Sequence, residues 1–341
     1  MNARLFAQAL LWTALGTILP AQADSLGICA AVADDLQRLA CYDRLATGAA
    51  APSTVEASIV ETTTVGPEEP ASGPVHLVNE ELLLGQRLAE ETTLTSNAWV
   101  ITPHQRNYLL PATYNDNLNR AAWAALEPDD PMQHIEAKFQ ISLKTIAWTD
   151  ILGAGSNLWV AYTQRNWWQL YNDSSPFRET NYQPEVFLTF ANDWRFWGFT
   201  NTVVGTGFRH ESNGKGGDLS RSWNRAMVMA AFERRRMALN VRAWYRLPES
   251  SGDDDNPDIE RYMGYGDITG IWKWQQHEFA VKLRNNLRSE NRGALELEWT
   301  FPINRRFKGY IQYFNGYGES LIDYNQNNSR IGFGVSMTDL L

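Results

Sequence analysis

From Asn107 onward, apolar and polar side chains alternate along the chain. In His134 to Lys144, HIEAKFQISLK, the residues Ile135, Ala137, Phe139, Ile141 and Leu143 fall on one side. Glu136, Lys138, Gln140, Ser142 and Lys144 fall on the other. Successive strand side chains point to opposite faces, so this segment is a strand with one oily and one charged face. Leu239, Val241, Ala243, Tyr245 and Leu247 repeat the pattern against Asn240, Arg242 and Arg246. So do Leu295, Leu297, Trp299 and Phe301 against Glu296 and Glu298.

Two architectures produce such strands. A β-sandwich buries the oily face against a second sheet. A membrane barrel turns that face to lipid and the polar one to a lumen. The length of the segments, the mixed charge signs on the polar face and aromatics at strand ends (Trp167, Trp168, Trp194) favour the barrel. About twelve antiparallel strands are expected, near 106–115, 134–148, 157–170, 183–192, 194–212, 221–234, 236–248, 261–275, 277–288, 292–303, 306–322 and 329–340. Tight connections at Ala191-Asn192-Asp193, Arg235, Gln276 and Asn304-Arg305 alternate with mostly longer ones at 116–133, 172–182, 213–220 and 248–260. Short periplasmic turns and long external loops are the asymmetry of an outer-membrane barrel. The fold class is therefore all-β: a twelve-stranded antiparallel transmembrane β-barrel over 106–341, with an N-terminal periplasmic extension.

The extension divides by composition. Residues 1–23 have a positive start, a short apolar run and an Ala21-Gln22-Ala23 box, which is the pattern of a secretory signal peptide. The run is short for a helical span. Residues 24–45 carry the two cysteines, Cys29 and Cys41. In an oxidising compartment a local pair favours a disulfide, and two Cys alone make a poor metal site. Residues 46–74, rich in Ala, Pro, Ser, Thr and Glu, are expected to be a disordered linker. Residues 75–105 are a lead-in. The formal net charge of −9 gives no pull toward nucleic acid. The 14 Trp fit a protein rich in interfacial rings, although a sugar-binding protein would look similar.

One segment interrupts the oily face. Val204, Thr206, Phe208, His210 and Ser212 share one side of their strand. Asn224, Ala226, Val228, Ala230 and Phe232 share one side of the next. His210, Ser212 and Asn224 thus converge near the external ends of adjacent strands, outside the barrel wall. A serine becomes nucleophilic when a neighbouring base accepts its proton. Asn224 could accept from the far ring N–H of His210 and hold its tautomer. Gly214, Gly216 and Gly217 would let backbone N–H groups approach an oxyanion. A His and a Ser at a strand end can also be ordinary interfacial polar groups. There is no G-x-S-x-G elbow, which argues against an α/β-hydrolase. Ser251 to Asp258, SGDDDNPD, reads as a solvated acidic loop, with calcium binding as the alternative.

The stretch HESNGKGGDLSRSWNR resembles the active-site segment of the outer-membrane phospholipase A family. YTQRNWWQLYNDSSPFRETNYQPEVFL (162–188) and NGYGESLIDYN (315–325) resemble that family's other signatures. The resemblance covers 107–341. It implies a calcium-dependent serine hydrolase that cleaves sn-1 and sn-2 acyl esters of phospholipids in the Gram-negative outer membrane and is activated by homodimerisation. It implies Ser212 as nucleophile, His210 as general base and Asn224 as its orienting partner. The oxyanion hole would use the backbone N–H groups of Ser212 and Gly214. Calcium would be held by the Ser220 hydroxyl, the Lys215 carbonyl and a carbonyl at Ser174 of the partner subunit. Lys215 stands where the family has Arg, a change that a backbone ligand tolerates. Gln164, on the oily face with Leu158, Val160, Tyr162 and Trp168, would bond across the dimer interface. A non-catalytic pore or structural barrel is the rival reading, and a soluble secreted lipase is a third.

Overall fold

The computed structural model describes residues 83–94, 100–304 and 306–340. The expected signal peptide, the cysteine segment with its Cys29–Cys41 disulfide and the linker lie outside the described residues. Twelve strands close into a barrel: β2 (Tyr108–Asn115), β3 (Ile135–Thr149), β4 (Ser156–Trp168), β5 (Phe177–Phe196), β6 (Phe199–Ser212), β7 (Ser222–Arg234), β8 (Met237–Arg246), β9 (Gly266–Trp274), β10 (His277–Asn285), β11 (Gly293–Pro302), β12 (Lys308–Tyr317) and β13 (Asn327–Ser336). Each pairs antiparallel with its sequence neighbour, and β13 closes the ring on β2. Closure leaves no barrel edge whose backbone groups would face lipid unpaired. A two-residue strand, β1 (Thr102–Pro103), adds to β3.

The alternation resolves as the pattern predicts. Leu109, Ile135, Ile141, Val160, Val186, Phe208, Val228, Tyr245, Ile268 and Ile331 are exposed on the outer wall. Inside, cations and carboxylates interlock. Arg106 pairs with Glu278 at 2.6 Å, Arg178 with Asp323 at 2.7 Å and Arg209 with Glu185 at 2.7 Å. Arg330 bridges Glu136 at 2.7 Å and Glu319 at 2.8 Å, and Lys138 reaches Glu319 at 2.9 Å. A cavity of about 320 Å³ remains in the lumen.

At one end of the wall, Trp272, Trp274, His277, Phe279, Trp299 and Phe301 form a stack of rings. Trp194, Phe196 and Trp197 are exposed at the same periplasmic end. Such a belt marks the membrane interface. Trp167 differs from expectation. It is fully buried on the lumen face, with the Lys138 ammonium 5.3 Å from its ring, whereas its neighbour Trp168 stacks on Phe177.

The hairpin expected at Ala191-Asn192-Asp193 turns six residues later. β5 runs through that stretch with a bulge between Ala191 and Trp194, and the chain reverses at Trp197-Gly198. Both turn residues have positive φ, 50° and 78°, as a two-residue primed turn requires. Asn192 Oδ1 accepts from the Asp193 and Trp194 N–H groups, so its turn chemistry serves the bulge.

The lead-in is more than a connector. It contains α1 (Leu83–Leu94), which lines the lumen cavity through Leu84, Arg87, Leu88 and Glu91. The Glu233 carboxylate accepts from the Leu84 and Gly85 N–H groups at 2.9 and 3.0 Å, satisfying donors that the first turn leaves free. Arg87 donates to the carbonyls of Leu340 at 2.6 Å and Pro103 at 3.1 Å. Lys144 donates to Glu91 at 2.7 Å.

Candidate active site

The external end of the β6–β7 hairpin carries the constellation. His210 and Asn224 are directly opposed across the ladder, and Ser212 opposes Ser222 one step further out. Residues opposed in a ladder share a face, so the register places His210, Ser212 and Asn224 together on the outer wall. The three side chains are half-buried, directly above exposed Phe208. His210 Nδ1 lies 2.8 Å from Asn224 Oδ1. An amide oxygen only accepts, so this contact puts the ring proton on Nδ1 and leaves the Nε2 lone pair free to act as a base.

Two residues that the motif did not single out shape the same spot. Tyr182 on β5 opposes Ser212. It lies against Gly214, where a Cβ would meet the Tyr182 ring at 3.0 Å. Gly214 also has φ +67°, in the left-handed region that favours glycine. Asn213 is buried and fastens the loop base. Its Oδ1 accepts from the Lys215 and Arg221 N–H groups at 3.2 and 3.0 Å, while its Nδ2 donates to the Leu219 carbonyl at 2.9 Å.

The expected metal ligands sit in neighbouring external loops. Ser220 and Lys215 are both in the β6–β7 loop, and Ser174 is exposed in the β4–β5 loop. Burial pushes the Lys215 ammonium down from its ordinary pKa, and the Glu179 carboxylate 3.9 Å away pulls it back up. The acidic loop is largely solvent-exposed, as expected, but it is also tied to the barrel at three points. Asp254 pairs with Arg246 at 2.5 Å, Asn256 is buried and accepts from the Ser222 N–H at 2.9 Å, and Asp258 accepts from the Tyr324 hydroxyl at 2.7 Å. From that loop, exposed Asp255 accepts from the Ser220 hydroxyl at 2.5 Å. Among the described residues no three His, Cys, Asp or Glu side chains form a metal cluster. The oxygen set of Ser220, Asp255 and the adjacent carbonyls nevertheless suits calcium, a hard cation that takes carboxylates, carbonyls and water.

Gln164 is not a lone amide. Tyr162 donates to its Oε1 at 3.0 Å, and its Nε2 donates to Asn166 Oδ1 at 2.8 Å. This polar chain within one subunit keeps the amide paired while it stands on the lipid face.

A closed barrel with an oily outer wall is the fold of an outer-membrane protein, and the His–Asn pair beside a serine on that wall is its candidate hydrolase site. Residues 84–337 match the family described as Phospholipase A1. Phospholipase A1 of Escherichia coli is 42% identical over 246 residues, covering 72% of this chain and 83% of the relative. A putative phospholipase A1 of Neisseria meningitidis is 35% identical over 92% of this chain and 90% of its own, so it also takes in part of the region ahead of the barrel. Among solved structures, outer membrane phospholipase A from Escherichia coli has a TM-score of 0.67 at 40% identity, covering 71% of this chain and all of that one. The Salmonella typhi outer membrane phospholipase dimer with bound calcium gives 0.68 at 37% identity, covering 74% and 98%. The chain belongs to the phospholipase A1 family, and the protein is an outer-membrane phospholipase.

Proposed function

We propose that the protein hydrolyses phospholipid acyl esters, at both sn-1 and sn-2 positions and in lysophospholipids, through Ser212, His210 and Asn224, with calcium and a second subunit required for activity. The observation that carries this reading is the 2.8 Å contact between His210 Nδ1 and Asn224 Oδ1, two residues along the same strand face from Ser212. Asn224 fixes the tautomer. Nε2 of His210 takes the Ser212 proton as Oγ attacks the ester carbonyl carbon. The oxyanion is met by the N–H groups of Ser212 and Gly214. Collapse breaks the ester C–O bond, and His210 returns the proton to the departing lysophospholipid oxygen. Water, deprotonated by the same imidazole, then attacks the acyl-serine and releases the fatty acid.

Calcium would be held by the Ser220 hydroxyl, the Lys215 carbonyl and the Ser174 carbonyl from the second subunit, and when bound it supplies positive charge that stabilises the oxyanion. The Salmonella typhi relative, solved as a calcium-bound dimer, supports both the metal and the pairing. Gln164 would then lie at the subunit interface, where the partner's wall covers the polar chain it belongs to. Acyl chains would lie along the oily wall below the site, over Phe208 and Val228.

The test is fatty-acid release from mixed phospholipid–detergent micelles by the refolded protein. Ser212→Ala should lower turnover by about 10³-fold or more, and chelation of calcium should abolish release that added calcium restores. Release by folded Ser212→Ala at the wild-type rate would overturn the assignment of the nucleophile.

A further inference from the structure

The amide of Asn224 has two ends, and the triad uses one. Nδ2 donates to Glu249 Oε1 at 2.8 Å. Glu249 lies three residues beyond the end of β8, half-buried, in the β8–β9 loop. Its placement is built into the sheet. The Leu247 N–H donates to the Asn224 carbonyl at 2.8 Å, which prolongs the β7–β8 pairing past the last ladder residue and brings the chain alongside Asn224. Arg246, just before, is anchored to Asp254 at 2.5 Å and to the Pro257 carbonyl at 3.3 Å.

We propose that Glu249 is a positioning residue for the hydrolysis, acting through Asn224 on His210. The proposal rests on the Ser212–His210–Asn224 reading. The oxygen and nitrogen of an asparagine amide are nearly isosteric, so packing alone does not choose between them. A flipped Asn224 would point Nδ2 at the imidazole. It could then donate to His210 Nδ1, stabilising the tautomer whose proton sits on Nε2, which is the wrong atom for a base. An ionised carboxylate only accepts. Against Glu249, the flipped amide would place oxygen against oxygen. The observed orientation instead makes a charge-assisted bond. Glu249 therefore holds Oδ1 toward the ring. It also places a negative charge one residue beyond a neutral Asn, on the side where positive charge develops as His210 accepts the proton.

The experiment compares kcat and KM in calcium-saturated micelles for Glu249→Ala, Glu249→Gln, Asn224→Ala and the double variant Asn224→Ala/Glu249→Ala. Folding is checked by heat-modifiable migration on gels. Glu249→Ala should lower kcat about tenfold, the loss of one charge-assisted hydrogen bond, and leave KM within about twofold. Glu249→Gln keeps an acceptor oxygen and should recover most of that loss. In the Asn224→Ala background, Glu249→Ala should have no further effect. Wild-type kcat in Glu249→Ala would overturn the proposal. So would an equal loss in both backgrounds, or a Glu249→Gln variant as slow as Glu249→Ala. Ser212→Ala, assayed in parallel, separates the failures. If it is inactive while Glu249→Ala is normal, only the positioning role is lost; if it is active, the triad reading falls as well.

Discussion

At the scale of single residues, the site depends on where the backbone turns as much as on the side chains. Gly214 combines a φ of +67° with close approach to Tyr182. Gly214→Ala should therefore strain the loop by about 1–2 kcal/mol and shift the N–H that would face the oxyanion. A fall in kcat of about tenfold or more, with KM nearly unchanged and the barrel still folded, is the expected outcome in the micelle assay. Unchanged kcat would remove this N–H from the oxyanion hole. That His210, Ser212 and Asn224 share one face was legible in the sequence from the period of two, and their roles came from the resemblance of the segment to the family's active site; the 213–221 loop brings Asn224 back opposite His210. Glu249, Tyr182 and Asp255 were not legible. Each reaches the site through ladder register or a folded loop path, and neither leaves a local spacing to read. The acidic loop is solvated as its charge density suggests, but charge density alone does not reveal that Asn256 and Asp258 have partners elsewhere in the barrel.

At the scale of elements, most strands read correctly because lipid on one side and a polar lumen on the other impose strict alternation. Three places depart: residues 261–263, expected in a strand, form a short helix (Glu260–Met263), residues 318–322 lie beyond the end of β12 at Tyr317, and the β5–β6 hairpin turns late. Asn192-Asp193 offered ordinary turn residues, whereas the real turn places Trp197 at positive φ, which sequence preference does not anticipate. α1 escaped notice because it presents no strong apolar stripe and is held by polar contacts instead. Those contacts make a prediction. Arg87 ties the helix to the Leu340 and Pro103 carbonyls, and Glu233 receives its first N–H groups. Arg87→Ala with Glu233→Ala should release α1 while the strands stay paired. Hydrogen exchange should then show faster exchange of the 83–94 amides, with protection in β6 and β7 unchanged. Exchange at the wild-type rate would mean that the helix is held by packing or by the Lys144–Glu91 pair rather than by these two groups.

For the whole molecule, the lumen decides between an enzyme scaffold and a pore. Its interior is polar, as in a channel, but the charges are paired at hydrogen-bond distance, and α1 lines the remaining cavity. Planar-bilayer recordings should show no stable ohmic steps. The same network should carry stability, because buried charges are costly once a partner is lost. Arg330 is the best probe: it is almost fully buried and spans Glu136 and Glu319. Arg178 and Lys138 each remain to hold one of those carboxylates, so the loss should be partial rather than complete. Arg330→Met should destabilise the barrel by about 3 kcal/mol, the lower end of the range for breaking a buried pair. Urea unfolding in lipid vesicles would measure it. Arg330 lies on β13, across the barrel from the β6–β7 hairpin, so turnover at temperatures where the variant is folded should match wild type. A large loss of turnover without loss of stability would instead tie the lumen charges to the chemistry on the outer wall.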